Sequence, residues 1–180
     1  MKTLKKTLVL AVALVAGMFG WAQTIEADFT QTRNIAASGK TIEKAGHMKL
    51  VYPDQLDMNY SKPDGEYFII HGSEMSMNMD GKKNKVDTEK NKRTQTFAQT
   101  LLNCIKGDWE KAAADNDTDT AVKEEGGKKI VTLTAKKKAP RGYAKIELTY
   151  NKADGMLNKM VLEEFGGVTN TYVISKATKK

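Results

Sequence analysis

From residue 25 onward, apolar and polar residues alternate along most of the chain. Ile25, Ala27 and Phe29 alternate with Glu26, Asp28 and Thr30, and Leu56, Met58 and Tyr60 with Gln55, Asp57 and Asn59. Met48, Leu50 and Tyr52 form a similar run, as do Met75, Met77 and Met79. The period returns at Val131, Leu133 and Ala135, at Ala144, Ile146, Leu148 and Tyr150, and across residues 156–165 and 169–175. Successive strand side chains point to opposite faces, so each run reads as a strand with one buried and one wetted face. Turn residues separate the runs: Pro53-Asp54, Pro63-Asp64-Gly65, His71-Gly72, Asp80-Gly81, Gly126-Gly127, Asp154-Gly155 and Gly166-Gly167. Short connections join antiparallel neighbours, so the pattern predicts a meander of about ten strands. A sheet that long with one apolar face must curl to hide it.

One segment departs from this period. Phe97, Leu101, Cys104 and Ile105 lie at helical spacing within residues 94–105, and Gly107 closes the stripe. A second short helical turn is expected over 109–114, and the polar stretch 115–127 reads as a surface loop. The predicted fold is mainly β (α+β): a strongly curved antiparallel sheet, with an amphipathic helix inserted mid-chain across its concave face.

The N-terminus follows a third pattern. Lys2, Lys5 and Lys6 precede an apolar run from 7 to 19, and small residues Gly20 and Ala22 flank Trp21. This describes a secretory signal peptide over 1–22, with cleavage after Ala22 and one domain over 23–180. The alternative is a membrane anchor, for which the run is shorter than the ~20 residues that span a bilayer.

Charge changes meaning with this reading. The chain carries 29 basic and 22 acidic residues, net +7, and three of the lysines lie before the cleavage point. Export therefore leaves a modest excess of four positive charges, which weakens any nucleic-acid reading. The remaining clusters at 82–85, 90–93 and 136–138 read as solubilising turns and loop edges.

Candidate chemistry is sparse. No Gly-rich phosphate loop, Gly-x-Ser-x-Gly elbow or His-Glu-x-x-His pattern occurs. Cys104 lies on the helical stripe and reads as a buried thiol, with His47 and His71 on separate strands. Residues 115–119 imitate the start of a calcium loop, but Thr120 and Gly126 stand where glycine and a bidentate glutamate are needed. No metal, cofactor or catalytic set is expected, and the chain does not read as an enzyme.

The order of these features resembles the LolA family of periplasmic lipoprotein carriers. The resemblance runs through Ala27-Asp28-Phe29-Thr30-Gln31-Thr32, Gly46-His47-Met48-Lys49-Leu50-Val51-Tyr52-Pro53, Leu56-Asp57-Met58-Asn59-Tyr60 and Lys62-Pro63-Asp64. The Leu101-Leu102 helix and the strands around Asp154-Gly155 follow in the expected order. The resemblance implies an incomplete β-barrel, open along one side and lidded by helices, whose apolar cavity holds the acyl chains of lipoproteins. It implies an inner-membrane transporter as donor, an outer-membrane receptor as acceptor and a monomeric carrier in the periplasm. Two departures stand out: Tyr52 occupies the position of an arginine associated with cargo release, and no helix is expected before the first strand.

On this reading the cavity is lined by Phe29, Met48, Leu50, Tyr52, Leu56, Met58, Tyr60, Met75, Met77, Ile146, Leu148, Met160 and Leu162. Phe97, Leu101, Leu102 and Ile105 form the lid helix. Methionine suits such a lining because its unbranched, polarisable side chain adapts to irregular shapes. The alternation alone fits an ordinary core equally well, and the helix stripe fits permanent packing as well as a movable lid. One alternative remains open at this stage, a binding or sensor module for another hydrophobic envelope ligand or glycolipid, while a hydrolase of cell-envelope substrates is disfavoured by the absent catalytic constellation.

Overall fold

A computed structural model describes residues 23–138 and 142–180. The expected signal peptide, residues 1–22, lies outside the described residues. Six strands come first: β1 (Thr24–Ile35), β2 (Lys40–Val51), β3 (Gln55–Lys62), β4 (Asp64–His71), β5 (Glu74–Met79) and β6 (Lys82–Asp87). A 3₁₀ turn, Thr88–Lys90, leads to helices α1 (Lys92–Lys106) and α2 (Trp109–Asp115). Five strands complete the chain: β7 (Thr118–Glu125), β8 (Lys128–Ala135), β9 (Tyr143–Asn151), β10 (Leu157–Glu164) and β11 (Val168–Lys179).

All eleven strands form one antiparallel sheet in the order β6-β5-β4-β3-β2-β1-β11-β10-β9-β8-β7. The first and last strands pair at its centre, with Phe29 opposite Ile174 and Ile35 opposite Val168. Two meandering arms grow outward from that pair, leaving β6 and β7 as the free edges. The helices carry the chain from one edge to the other.

The alternation becomes rows of side chains across the strands. Ile25, Leu50, Leu56, Ile70 and Met75 are successive cross-strand partners, as are Ala27, Met48, Met58, Phe68 and Met77. In the other arm, Val131, Leu148, Met160 and Tyr172 form one row and Leu133, Ile146, Leu162 and Asn170 the next. Directly opposed residues share a face, so these rows build one continuous apolar surface.

Gly46 is the point where that surface requires the absence of a side chain. It sits opposite Phe29, beside a register shift against β3. A Cβ there would lie 2.2 Å from the Asn59 carbonyl oxygen and 2.9 Å from the Phe29 ring. The bare backbone lets the Phe29 ring meet Tyr60 edge-on at 5.1 Å.

Helix α1 starts where the Asn91 side chain accepts from the amides of Arg93 and Thr94, and stops at Gly107 with φ 88. Its residues 100–105 are all buried because the sheet covers one side and α2 the other. Asn116 fixes the two helices by donating to Thr100 Oγ1 at 2.7 Å and to the Ala112 carbonyl at 2.8 Å.

The expected surface loop at 115–127 is instead mostly β7, paired with β8 from Thr118↔Ala135 to Glu125↔Lys128. It has one neighbour and nearly all its side chains are exposed, so no apolar alternation marks it. Strand β6 hides in the same way: the lysines at 82, 83 and 85, read as turn residues, are exposed positions on the other edge strand. Charged edges of this kind discourage pairing with other chains. These two strands are the differences from the expected meander, whereas the second short helical turn expected over 109–114 is present as α2.

Candidate functional site

The interior beneath α1 gathers most of the residues singled out from the sequence. Phe29, Met48, Leu50, Leu56, Met58, Tyr60, Met75, Ile146, Leu148, Met160 and Leu162 are buried in one cluster, with Tyr52 and Met77 partly buried against it. Leu101, Leu102 and Ile105 of α1 belong to the same cluster. Phe97 differs: it is 37% exposed, packed edge-on to Phe68 at 6.0 Å and stacked on Tyr143 at 6.2 Å. Its ring thus bridges the two arms of the sheet.

The ties between α1 and the sheet are unevenly distributed. Near its C-terminus, Tyr150 donates to the Cys104 carbonyl at 2.7 Å, Tyr52 to the Lys106 carbonyl at 3.4 Å and Lys106 Nζ to the Pro53 carbonyl at 3.4 Å. Tyr52, standing where the resemblance expects an arginine, therefore holds the end of the helix. Before the helix, Thr88 is anchored to the Ser73 carbonyl through its amide and hydroxyl. Between these anchors, the first turns of α1 meet the sheet mainly through Phe97 and Ala98.

A polar tier borders the apolar rows, and alternation in phase could have revealed part of it. Gln31 follows Ile25, Ala27 and Phe29 on the inward face, and Lys44 precedes Met48 and Leu50. Both are buried, with Glu66 and Asn170. Tyr60 donates to Gln31 Oε1 at 2.8 Å, Gln31 Nε2 to Asn170 Oδ1 at 3.1 Å, and Asn170 Nδ2 to Glu164 Oε1 at 3.3 Å. Lys44 pairs with Glu66 and reaches Asp80 at 3.3 Å. Sequence reading also missed Phe68 and Ile70, because the apolar run 67–70 does not alternate, and it missed Tyr143 and Tyr172.

Beside the first turns of α1 lies a cavity of about 510 Å³, lined by Phe97, Tyr143, Phe165, Glu164, Arg93 and Asn116 among others. The deeper concave face is filled by the strand rows and the α1 stripe.

Among the described residues, nothing in this arrangement activates a nucleophile. Burial pushes the Cys104 thiol up to about 12. The histidines are engaged elsewhere, His47 with Asp28 at 3.1 Å and His71 with Asp57 at 2.7 Å. Burial raises the phenols of Tyr60, Tyr143 and Tyr150 and pushes Tyr172 up to about 12, so all four stay protonated and neutral.

Comparison with known proteins places the chain. No curated protein matches it. Among solved structures, it is similar to a putative outer membrane lipoprotein-sorting protein domain from Vibrio parahaemolyticus: 10% identity, TM-score 0.41, covering 90% of this chain and 87% of that one. It is also similar to a LolA superfamily protein from Nitrosomonas europaea: 8% identity, TM-score 0.40, covering 86% and 85%. A third is the MucA/MucB complex of Pseudomonas aeruginosa: 12% identity, TM-score 0.43, covering 87% of this chain and 52% of that one. The sequence model of one family, described as outer membrane lipoprotein carrier protein LolA, matches residues 21–180. That match spans every described strand and both helices, so the chain belongs to the LolA family of lipoprotein carriers.

Proposed function

We propose that the protein is a periplasmic carrier that takes up the acyl chains of lipoproteins between the curved sheet and α1, and shuttles them from the inner to the outer membrane. One observation carries this reading: α1 shares the apolar cluster with the sheet but contributes no strand to it. The helix can therefore lift without breaking a strand-to-strand hydrogen bond, giving up the Tyr150 and Tyr52 bonds to its C-terminal carbonyls and exchanging its own side chains for hydrocarbon.

Magnitudes favour such an exchange. Withdrawing Leu101, Leu102 and Ile105 forfeits about 1.5–3 kcal/mol each, and the partly exposed Phe97 less, roughly 5–11 kcal/mol together. A sixteen-carbon chain regains about 0.8 kcal/mol per buried CH₂, roughly 12 kcal/mol. One chain thus about balances the lid and a second tips it, which allows both loading and release. The methionines on β2, β3, β5 and β10 adapt the lining to chains of varied course.

The family is one of carriers rather than enzymes. An inner-membrane donor and an outer-membrane acceptor complete the proposed route. The test is displacement of an environment-sensitive acyl probe from the purified protein. Met77→Gln, at a half-buried position, lowers probe affinity while leaving the unfolding midpoint close to wild type. Leu50 is fully buried, so a bulky polar residue there endangers the fold and makes the poorer probe. Unaltered affinity in a folded Met77 variant removes that residue from the lining, and no probe binding by wild type refutes the carrier.

A further inference from the structure

We propose that the cavity beside the first turns of α1 receives the ester or amide junction of an acylated polypeptide, with Tyr143 donating to its carbonyl oxygen and, for an amide, Glu164 accepting from its N–H. This rests on the carrier reading and adds where the polar end of the cargo lies.

The site is made by a departure from regular pairing. Strands β9 and β10 pair Leu162 with Ile146 and Glu163 with Lys145, and then Glu164 with Tyr143, bypassing Ala144. Unbroken alternation would have set Ala144 opposite Glu164 and turned Tyr143 toward the wetted face. The bulge instead pairs Tyr143 with Glu164, and both residues line the same 510 Å³ space. Bulges commonly re-aim side chains at functional sites.

The two groups retain hydrogen-bonding capacity. The Tyr143 ring is held by Phe97, while its hydroxyl makes no hydrogen bond to another described residue. Burial keeps that hydroxyl protonated, hence a donor. Glu164 Oε1 takes the bond from Asn170, leaving Oε2 for a donor from outside the protein. One donor and one acceptor match the carbonyl oxygen and N–H of an amide, and the hydroxyl alone serves an ester carbonyl.

Their position relative to the apolar rows sets the orientation of the cargo. Leu162 and Ile146 begin the hydrophobic surface one register step inward, and the tier of Gln31 and Asn170 lies alongside. An acyl chain running inward places its linkage at Tyr143 and Glu164, with the polypeptide leaving past exposed Arg93 and Lys137. The Glu164 carboxylate disfavours a free fatty acid, whose own carboxylate would meet it at the same depth. The volume is within the usual range for small-ligand sites.

The experiment uses the full chain and two competitors of equal chain length, an N-palmitoyl dipeptide amide and palmitate, each displacing an acyl fluorophore. Wild type is expected to prefer the amide, and Tyr143→Phe and Glu164→Gln each to reduce that preference about fivefold. Both substitutions are near-isosteric, and Glu164→Gln keeps an oxygen for Asn170, so thermal midpoints identify folded variants. If both competitors bind and the preference is the same in wild type and both folded variants, the junction site is wrong and the carrier reading stands. If neither competitor displaces the fluorophore from wild type, the carrier reading fails and the site falls with it.

Discussion

At the residue scale, two positions bear more than their share of the architecture. Gly46 permits the contact of Phe29 with Tyr60 in the middle of the sheet. Gly46→Ala forces its methyl into the Asn59 carbonyl, and the backbone must move because that atom cannot. A loss of about 1–3 kcal/mol or more is expected, read as a fall in the denaturant midpoint. Lys44 and Glu66 form a buried ion pair at the edge of the apolar rows, near the face of Tyr60. Removing one partner strands a buried charge, so Lys44→Met costs about 3–5 kcal/mol, whereas the double change Lys44→Met with Glu66→Leu costs less. A double-mutant cycle in denaturant measures this, and additive losses would contradict the pairing.

At the scale of elements, α1 is held firmly at its C-terminal end and lightly at its start. Cys104 on its buried side reports on its docking. With the thiol raised to about 12, modification at pH 8 should be about three orders of magnitude slower than for a free cysteine. Adding an acyl ligand accelerates the reaction if α1 lifts, and an unchanged rate argues for a helix that stays in place. The edge strands offer the opposite test. Val122 on β7 is 48% exposed, so Val122→Thr changes stability by no more than about 0.5 kcal/mol. Leu133→Ala on the neighbouring β8 costs about 2–5 kcal/mol. Both follow from thermal or denaturant unfolding, and β6 and β7 amides should exchange hydrogen before those of β1 and β11.

At the scale of the whole molecule, buried phenols link stability to pH. Folding raises Tyr60, Tyr143, Tyr150 and Tyr172, so the unfolded chain releases these protons first. Their contribution is complete below about pH 10, the ordinary tyrosine value, and is lost as pH climbs through the folded values, near 12 for Tyr172. Tyrosinate absorbance in the native protein should therefore lag behind that of the unfolded chain between these limits, and early titration of all six tyrosines would contradict the burial.

What the sequence determined follows from local physics. Period-two alternation places Phe29, Met48, Met58, Leu148 and Met160 on one face wherever a strand has a core on one side, and the spacing from Phe97 to Ile105 leaves a helix as the way to bury that stripe. The missing catalytic patterns argued against an enzyme, and the carrier reading came from the resemblance to the LolA family rather than from composition. Alternation is silent where both faces are wet, which is why β6 and β7 were unmarked, and where a bulge resets the phase, which is why Tyr143 was hidden behind Ala144. Tertiary structure alone decided that the first and last strands meet at the centre of the sheet. It alone brought Gln31, Tyr60, Asn170 and Glu164 into one hydrogen-bonded tier. Those contacts join residues as many as 139 positions apart, and no local pattern encodes which distant strands will become neighbours.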